Sequence, residues 1–230
     1  MYKQETLVSV VRKAMTEKRR LENMPPHEIK LCLSTGNVKI GKVMNVSLMP
    51  IITCANCKEC KHLCYDIKAC MMYPGVVNAR MRNTVLATNH RGEFFARIDA
   101  AMSRRRKNKY FRWHVAGDIL DGDYFDRMVD IARKHSDFVI WTYTKNYKVV
   151  NDWVAAHGGN RDAVPSNFSV MFSEWRGMPM DNPYGFPEFR VVFKDDPVKP
   201  VGHYCPGNCD ICKELHRGCV VGETTYCNEH

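Results

Sequence analysis

No apolar run in the sequence approaches the roughly twenty residues that a membrane-crossing helix needs, so the chain reads as a soluble protein. Its opening residues, Met1-Tyr2-Lys3-Gln4-Glu5-Thr6, lack a basic stretch followed by an apolar core and a small-residue cleavage site, which argues against secretion and for the cytoplasm. There is no G-x4-G-K phosphate loop, no G-x-S-x-G nucleophile elbow and no H-E-x-x-H zinc helix. The signatures of P-loop nucleotide hydrolysis, serine-esterase chemistry and zinc peptidases are therefore missing. Nothing resembling a linker interrupts the 230 residues, which suffice for one substantial core. A single domain is expected over 1–230: a helical arm (1–27), a hairpin with helices (28–109) and a run of β/α units (110–230).

What the sequence has in excess is cysteine. Eight of its eleven cysteines fall into two runs, Cys54, Cys57, Cys60 and Cys64, and Cys205, Cys209, Cys212 and Cys219. A reducing cytosol and an odd total argue against disulfides. The first run reads C-x2-C-x2-C-x3-C, a spacing that brings four thiolates within reach of one cubane 4Fe-4S cluster. One cluster per run is one arrangement; the other lets the fourth cysteine of one run ligate the cluster of its neighbour. Tyr65 follows Cys64 where a ferredoxin run has proline, so full ferredoxin identity is not supported. Zinc is the alternative, because C-x2-C units from the two runs can pair. Tight multiple spacings without an H-x3–5-H pair suit iron and sulfide better. Cys32, Cys70 and Cys227, each isolated, are read as packing residues.

Local patterns then place the runs. Residues 5–22 form an amphipathic basic helix with Leu7, Val10, Val11 and Met15 on one side, stopped by Met24-Pro25-Pro26. Lys30–Ser34 and Val38–Leu48 read as a hairpin around Thr35-Gly36-Asn37. Lys58–Met72 reads as a helix with Cys60 and Cys64 on one face of its first turn, ended by Pro74. Helices over Gly75–Asn89 and Glu93–Arg105 follow. Strands and helices alternate from there: strand Tyr110–Ile119, helix Asp121–His135 capped by Asp121, strand Phe138–Thr144, helix Lys148–His157, then strands Phe168–Glu174 and Phe189–Phe193. Repeated β/α units require a mainly parallel sheet. The fold class is α/β, an incomplete β/α barrel or an open parallel sheet with an N-terminal helix and cysteine-rich loops.

In such folds the carboxyl ends of the strands form the working rim. Three of them deliver Asp118, Lys145 and Glu174, the candidate pocket residues. The second cysteine run, following the last predicted strand, is expected at the same rim.

The blocks Asn45-Val46-Ser47-Leu48 through Pro50 to Thr53-Cys54, Cys60-Lys61-His62-Leu63-Cys64-Tyr65, Tyr73-Pro74, His114-Val115-Ala116-Gly117-Asp118-Ile119, Thr144-Lys145, Phe172-Ser173-Glu174-Trp175 and Cys205-Pro206-Gly207-Asn208-Cys209 resemble the phage and mobile-element "gene product eighty-eight" family. The resemblance spans most of 31–219 and implies a phage origin, hence a host cytoplasm, and metal binding, without naming a reaction. A second resemblance is to radical S-adenosylmethionine enzymes. Cys205-x3-Cys209-x2-Cys212 is similar to their three-cysteine signature, and Ala116-Gly117-Asp118 to their glycine-rich strand-end motif. It implies an open iron that takes S-adenosylmethionine. In those enzymes, however, the signature follows the first barrel strand and an aromatic residue precedes the third cysteine, where this chain has Ile211.

The 34 Lys and Arg outnumber 25 Asp and Glu, giving +9. This excess suits either a polyanion or the negative charge of thiolate-ligated clusters. Arg104, Arg105, Arg106, Lys107 and Lys109, interleaved with Tyr110, Phe111 and Trp113, form a candidate nucleic-acid segment: cations for phosphates, rings for bases. The competing reading is a solvated helix end followed by an ordinary strand.

Overall fold

A computed structural model describes residues 3–37 and 39–229. Helix α1 (Gln4–Glu22) buries Leu7, Val10, Ala14 and Leu21 against α3 (Pro74–Asn89). Strand β1 (Met44–Asn45) is short, and α2 (Tyr65–Met72) precedes α3, with α4 (Arg91–Ser103) after it. Then follow β2 (Tyr110–Arg112), α5 (Gly122–Lys134), β3 (Val139–Thr144), α6 (Tyr147–Ala156), β4 (Phe168–Glu174) and β5 (Glu188–Val192). The chain closes with β6 (His203–Tyr204), α7 (Cys209–Leu215) and β7 (Thr225–Asn228).

All the strand pairings are parallel, in the order β1-β2-β3-β4-β5-β7-β6, with β1 and β6 as unjoined edges. The sheet is open rather than a closed barrel. Period-two alternation divides its side chains between two faces. Phe111, Ile140, Phe168, Val170 and Phe172 join the main core beneath α1 and α3–α6. The alternate set, Trp141 and Met171 with Tyr110, Val139 and Tyr143, faces the other way and is covered by Cys212, Cys219 and Val220.

Several local readings are corrected by this arrangement. The hairpin shrinks to an antiparallel bridge between Ser34 and Asn45 and a turn bridged by Asn37 and Gly41; Val38, the first residue of its expected second strand, lies outside the described residues. The Asn37 side chain accepts from the Lys39 and Ile40 amides, which favours a turn over a ladder. Burial is unbroken from Val43 to Met49, although only Met44–Asn45 form a strand; the buried residues after them belong to the loop that runs to the first cysteine run. Strand β2 stops at Arg112 rather than Ile119, because the chain turns left-handed at His114 (φ 51°) and Gly117 (φ 85°). A Cβ on Gly117 would lie 2.7 Å from Leu48 Cβ and 2.8 Å from Thr53 Oγ1, so glycine lets the loop after β2 cross the loop after β1. The helix expected over Lys58–Met72 is two elements, a 3-10 turn (Glu59–Leu63) and α2, separated at Cys64. Cys60 and Cys64 therefore do not share a helical face. Pro74 opens α3 instead of merely ending its predecessor, a place where its missing N–H costs no hydrogen bond.

Candidate metal centre

Three strand ends gather the first cysteine run. The loop after β1 is fixed by Leu48 N–H donating to Ala116 O (2.9 Å) and by Thr53 Oγ1 donating to Met49 O (2.8 Å). The Asn56 side chain donates to the Lys145 carbonyl just past β3. Asp118 locks the strand exits together: it is 5 % exposed, accepts from Thr144 Oγ1 (2.6 Å) and the Ile119 amide (2.7 Å) through one oxygen, and from the Lys145 amide (2.9 Å) through the other. Burial, its largest influence, pushes its carboxyl up, and the three donors push the other way. Lys145 Nζ donates to Ser173 Oγ (2.8 Å) at the end of β4.

Cys57 lies within hydrogen-bonding reach of both Cys54 and Cys60, so three thiols converge. The Cys57 thiol is pushed well up by its bonds to Cys54 and Cys60. Cys60 is brought down to about 6, first by its hydrogen bond with Cys57 and then by the Lys145 ammonium, against the opposing effect of burial. Cys64 stands apart at the N-cap of α2 and packs on the main core, its thiol raised to about 11 by burial. The buried Asp66 pairs with the half-buried Arg80 (3.0 Å), which anchors α2 to α3.

The second run reaches the strand-end rim only at Cys205, which directly follows β6; the rest of it leaves the rim. From Cys205, past β6, α7 crosses the sheet face away from the main helices, Cys209 N–H donating to Lys39 O (3.0 Å), and a 3-10 turn (Gly218–Val221) seats Cys219 and Val220 on Trp141 and Met171. The reason is packing: Ile211 and Leu215 stay exposed, whereas Cys212, Cys219 and Val220 supply the apolar cover that this face needs. Cys205 is exposed and lies near enough to Cys209, Cys212, Cys219 and Cys227 to influence each of them, which places five thiols in one neighbourhood. Cys227, read from sequence as a packing residue, thus belongs to this group. It also feels Lys145, the lysine that lowers Cys60, so the two cysteine groups flank a common cation. His203 Nε2 is 3.8 Å from Cys212 Sγ.

All eleven cysteines are free thiols. Among the described residues, no three His, Cys, Asp or Glu side chains are drawn tightly enough together to hold a single metal ion as they stand.

The arginine that lies among these thiols escaped sequence reasoning. Arg112, the last residue of β2, points to the face of Tyr110 and Tyr143, its guanidinium carbon 4.5 Å from the Tyr143 ring centre. It reaches the Cys209 thiol, while its Nε is buried and has no hydrogen-bond partner. A cation inside an otherwise apolar strand pattern was the available signal, and it was absorbed into the basic stretch before it.

The three candidate pocket residues separate. Asp118 and Lys145 adjoin, but Glu174 turns to Arg190 on β5 (2.9 Å), and Ser173 takes its place beside Lys145. The candidate nucleic-acid segment connects α4 to the start of β2, the end of the sheet opposite the first cysteine run. Its rings are not available for stacking: Phe111 and Trp113 are fully buried, and Tyr110 lies under Lys213. Lys109 pairs with Asp137, and Arg105 donates to Asn108 O (3.1 Å), leaving Arg104, Arg106 and Lys107 as an exposed helix end. A surface cleft lined by Arg161, Pro165, Phe186 and Gly222 lies at the start of β4 and contains no cysteine.

Fold and site together define an open, all-parallel α/β protein with one cysteine-rich loop at its strand-end rim and a second cysteine block laid across one sheet face. The chain belongs to the gene product 88 family, whose model matches residues 14–199. The match takes in β1 to β5 and the first cysteine run and stops before the second. No curated protein and no solved structure matches the chain. No helix among the described residues is long and apolar enough to cross a membrane.

Proposed function

We propose that the protein is a phage-encoded iron–sulfur protein of the host cytoplasm, which binds cubane 4Fe-4S chemistry through Cys54, Cys57, Cys60 and Cys64, and through Cys205, Cys209, Cys212 and Cys219 with Cys227 beside them. The observation that carries this reading is the convergence of Cys54, Cys57 and Cys60 at the strand-end rim beside Lys145, in a C-x2-C-x2-C-x3-C run. The donor set fits the group. Soft thiolates select iron–sulfur clusters or zinc, and at the first group the Lys145 cation favours the anionic form of Cys60 that ligation requires. A cubane spreads its thiolates over four irons, so its ligands stand wider apart than the tetrahedron around one ion. When bound, such a cluster accepts and releases single electrons.

The chain's own residues set the surroundings. Asp118 fixes the loops that present Cys54, Cys57 and Cys60. Lys145 holds a positive charge over them, and the core behind Cys64 excludes water from one side. The role is redox or cluster-assisted. Anaerobic reconstitution with iron and sulfide tests it: the protein should gain a broad visible absorption near the sulfide-to-iron region and, on reduction, an electron paramagnetic resonance signal, both weakened by Cys57→Ser. Colourless protein holding zinc without sulfide would refute it.

A second reading, a radical S-adenosylmethionine-like enzyme, is favoured by one placement. The first run follows the first strand of a parallel sheet whose first five strands lie in chain order, and Ala116-Gly117-Asp118 follows the next strand. Its C-x2-C-x2-C spacing departs from the C-x3-C-x2-C pattern, which the second run has. A change in the cluster's resonance signal on adding S-adenosylmethionine would support it, and an unchanged signal would remove it.

A further inference from the structure

We propose that Arg112 is the resident counter-cation of the second cysteine group, neutralising the charge that metal–thiolate ligation brings to that sheet face and holding the bound cluster in its reduced state. The inference rests on the cluster reading above. Strand alternation places Arg112 on the side of the second block, over the Tyr143 ring and against Cys209. The strongest charges acting on it belong to Tyr143, Tyr65, Cys209 and Cys219, none of them a carboxylate. Other sheltered arginines of the chain are treated differently: Arg80 is given Asp66 (3.0 Å), Arg91 is given Asp121 (2.7 Å), and Arg190 lies against Glu188.

Arg112 is half-buried, a guanidinium cannot shed its proton, and a charge partly withdrawn from water without a partner carries a cost. Phenols and thiols in their neutral forms supply no anion. Thiolates bound to a metal do supply one. Arg112 Nε is buried and has no acceptor. Reduction adds an electron's charge to the cluster, which the nearby cation stabilises, so Arg112 raises the potential at which the site takes up that electron.

The test uses the whole protein, purified anaerobically and reconstituted, with iron, sulfide and zinc measured before each redox titration. Arg112→Met, similar in reach but uncharged, should keep the iron and sulfide of the wild type while one cluster becomes about tenfold harder to reduce, a fall of about 59 mV for a one-electron step. Arg112→Lys, which keeps the charge, should remain close to the wild type. Arg112→Gln repeats the measurement should the methionine variant fail to fold. Equal potentials in the neutral variants and the wild type would overturn the proposal, as would a lysine variant that falls as far as the methionine variant. Zinc bound at the second group, with iron confined to the first, would also overturn it. A wild type holding neither iron nor sulfide would instead refute the cluster reading itself.

Discussion

Replacing Asp118 tests whether the rim is held together before any metal arrives. The carboxylate is the shared acceptor for Thr144 Oγ1, the Ile119 amide and the Lys145 amide, at 2.6, 2.7 and 2.9 Å, and it joins the exits of β2 and β3. Asp118→Ala removes all three acceptors. The threonine hydroxyl can rotate to another partner, but the two amides are held by the backbone, and each buried donor left unpaired costs about 1–3 kcal/mol. Relief of the burial that raises the carboxyl offsets part of this loss. The net expectation is about 3 kcal/mol, or roughly 6–12 °C in the melting temperature for a chain of this size. Asp118→Asn keeps one oxygen for Thr144 and Ile119 and sets an NH2 against the Lys145 amide, so its cost should be about half. Thermal and urea unfolding of the metal-free protein measures both, free of any contribution from a bound cluster. If Asp118→Ala melts within about 1 °C of the wild type, or above it, the clamp argument is wrong and the carboxylate is a pocket group whose burial was a net burden.

Three further outcomes follow from other parts of the molecule. His114, buried between Tyr124 OH (3.1 Å from Nε2) and Thr142 Oγ1, is held neutral, burial lowering its pKa from 6.5 to about 3. The unfolded chain thus binds this proton first as pH falls. The stability contribution is complete above pH 6.5 and is lost between there and about pH 3, up to roughly 5 kcal/mol; His114→Gln should flatten this part of the melting-temperature profile. Asp66 is buried and pairs with the half-buried Arg80, so Asp66→Asn should destabilise the protein by up to about 3 kcal/mol in urea unfolding. In metal-free protein, iodoacetamide should alkylate Cys60 with a pH midpoint near 6, and Lys145→Met should move that midpoint upward.

Much of the scaffold was legible because its signals are local. The Asp121 cap, whose side chain accepts from the Tyr124 amide, and the apolar spacing of Tyr124, Phe125, Met128, Val129 and Ile131 give α5 directly. Buried runs give β3 and β4, and their alternation with helices gives the parallel sheet. What escaped depends on distant partners. Two- to four-residue strands such as β6 and β7 exist only through their pairing with each other and with β5, and no local pattern marks them. The break between the 3-10 turn and α2 at Cys64 answers to packing on the main core and to the Asp66–Arg80 pair. The cysteine spacings identified the thiols, but not that the second block would lie across a sheet face, nor that Cys227 would join it. Arg112 was invisible as a site residue because its meaning comes from strand register, which sets it over Tyr143 and beside Cys209.

The most direct measurement is the iron, acid-labile sulfide and zinc content of protein purified without exposure to air. The account predicts iron and sulfide in equal amounts, about four of each per chain for every cluster held, with little zinc. Stoichiometric zinc with no sulfide, or thiols that stay metal-free after reconstitution, would contradict it.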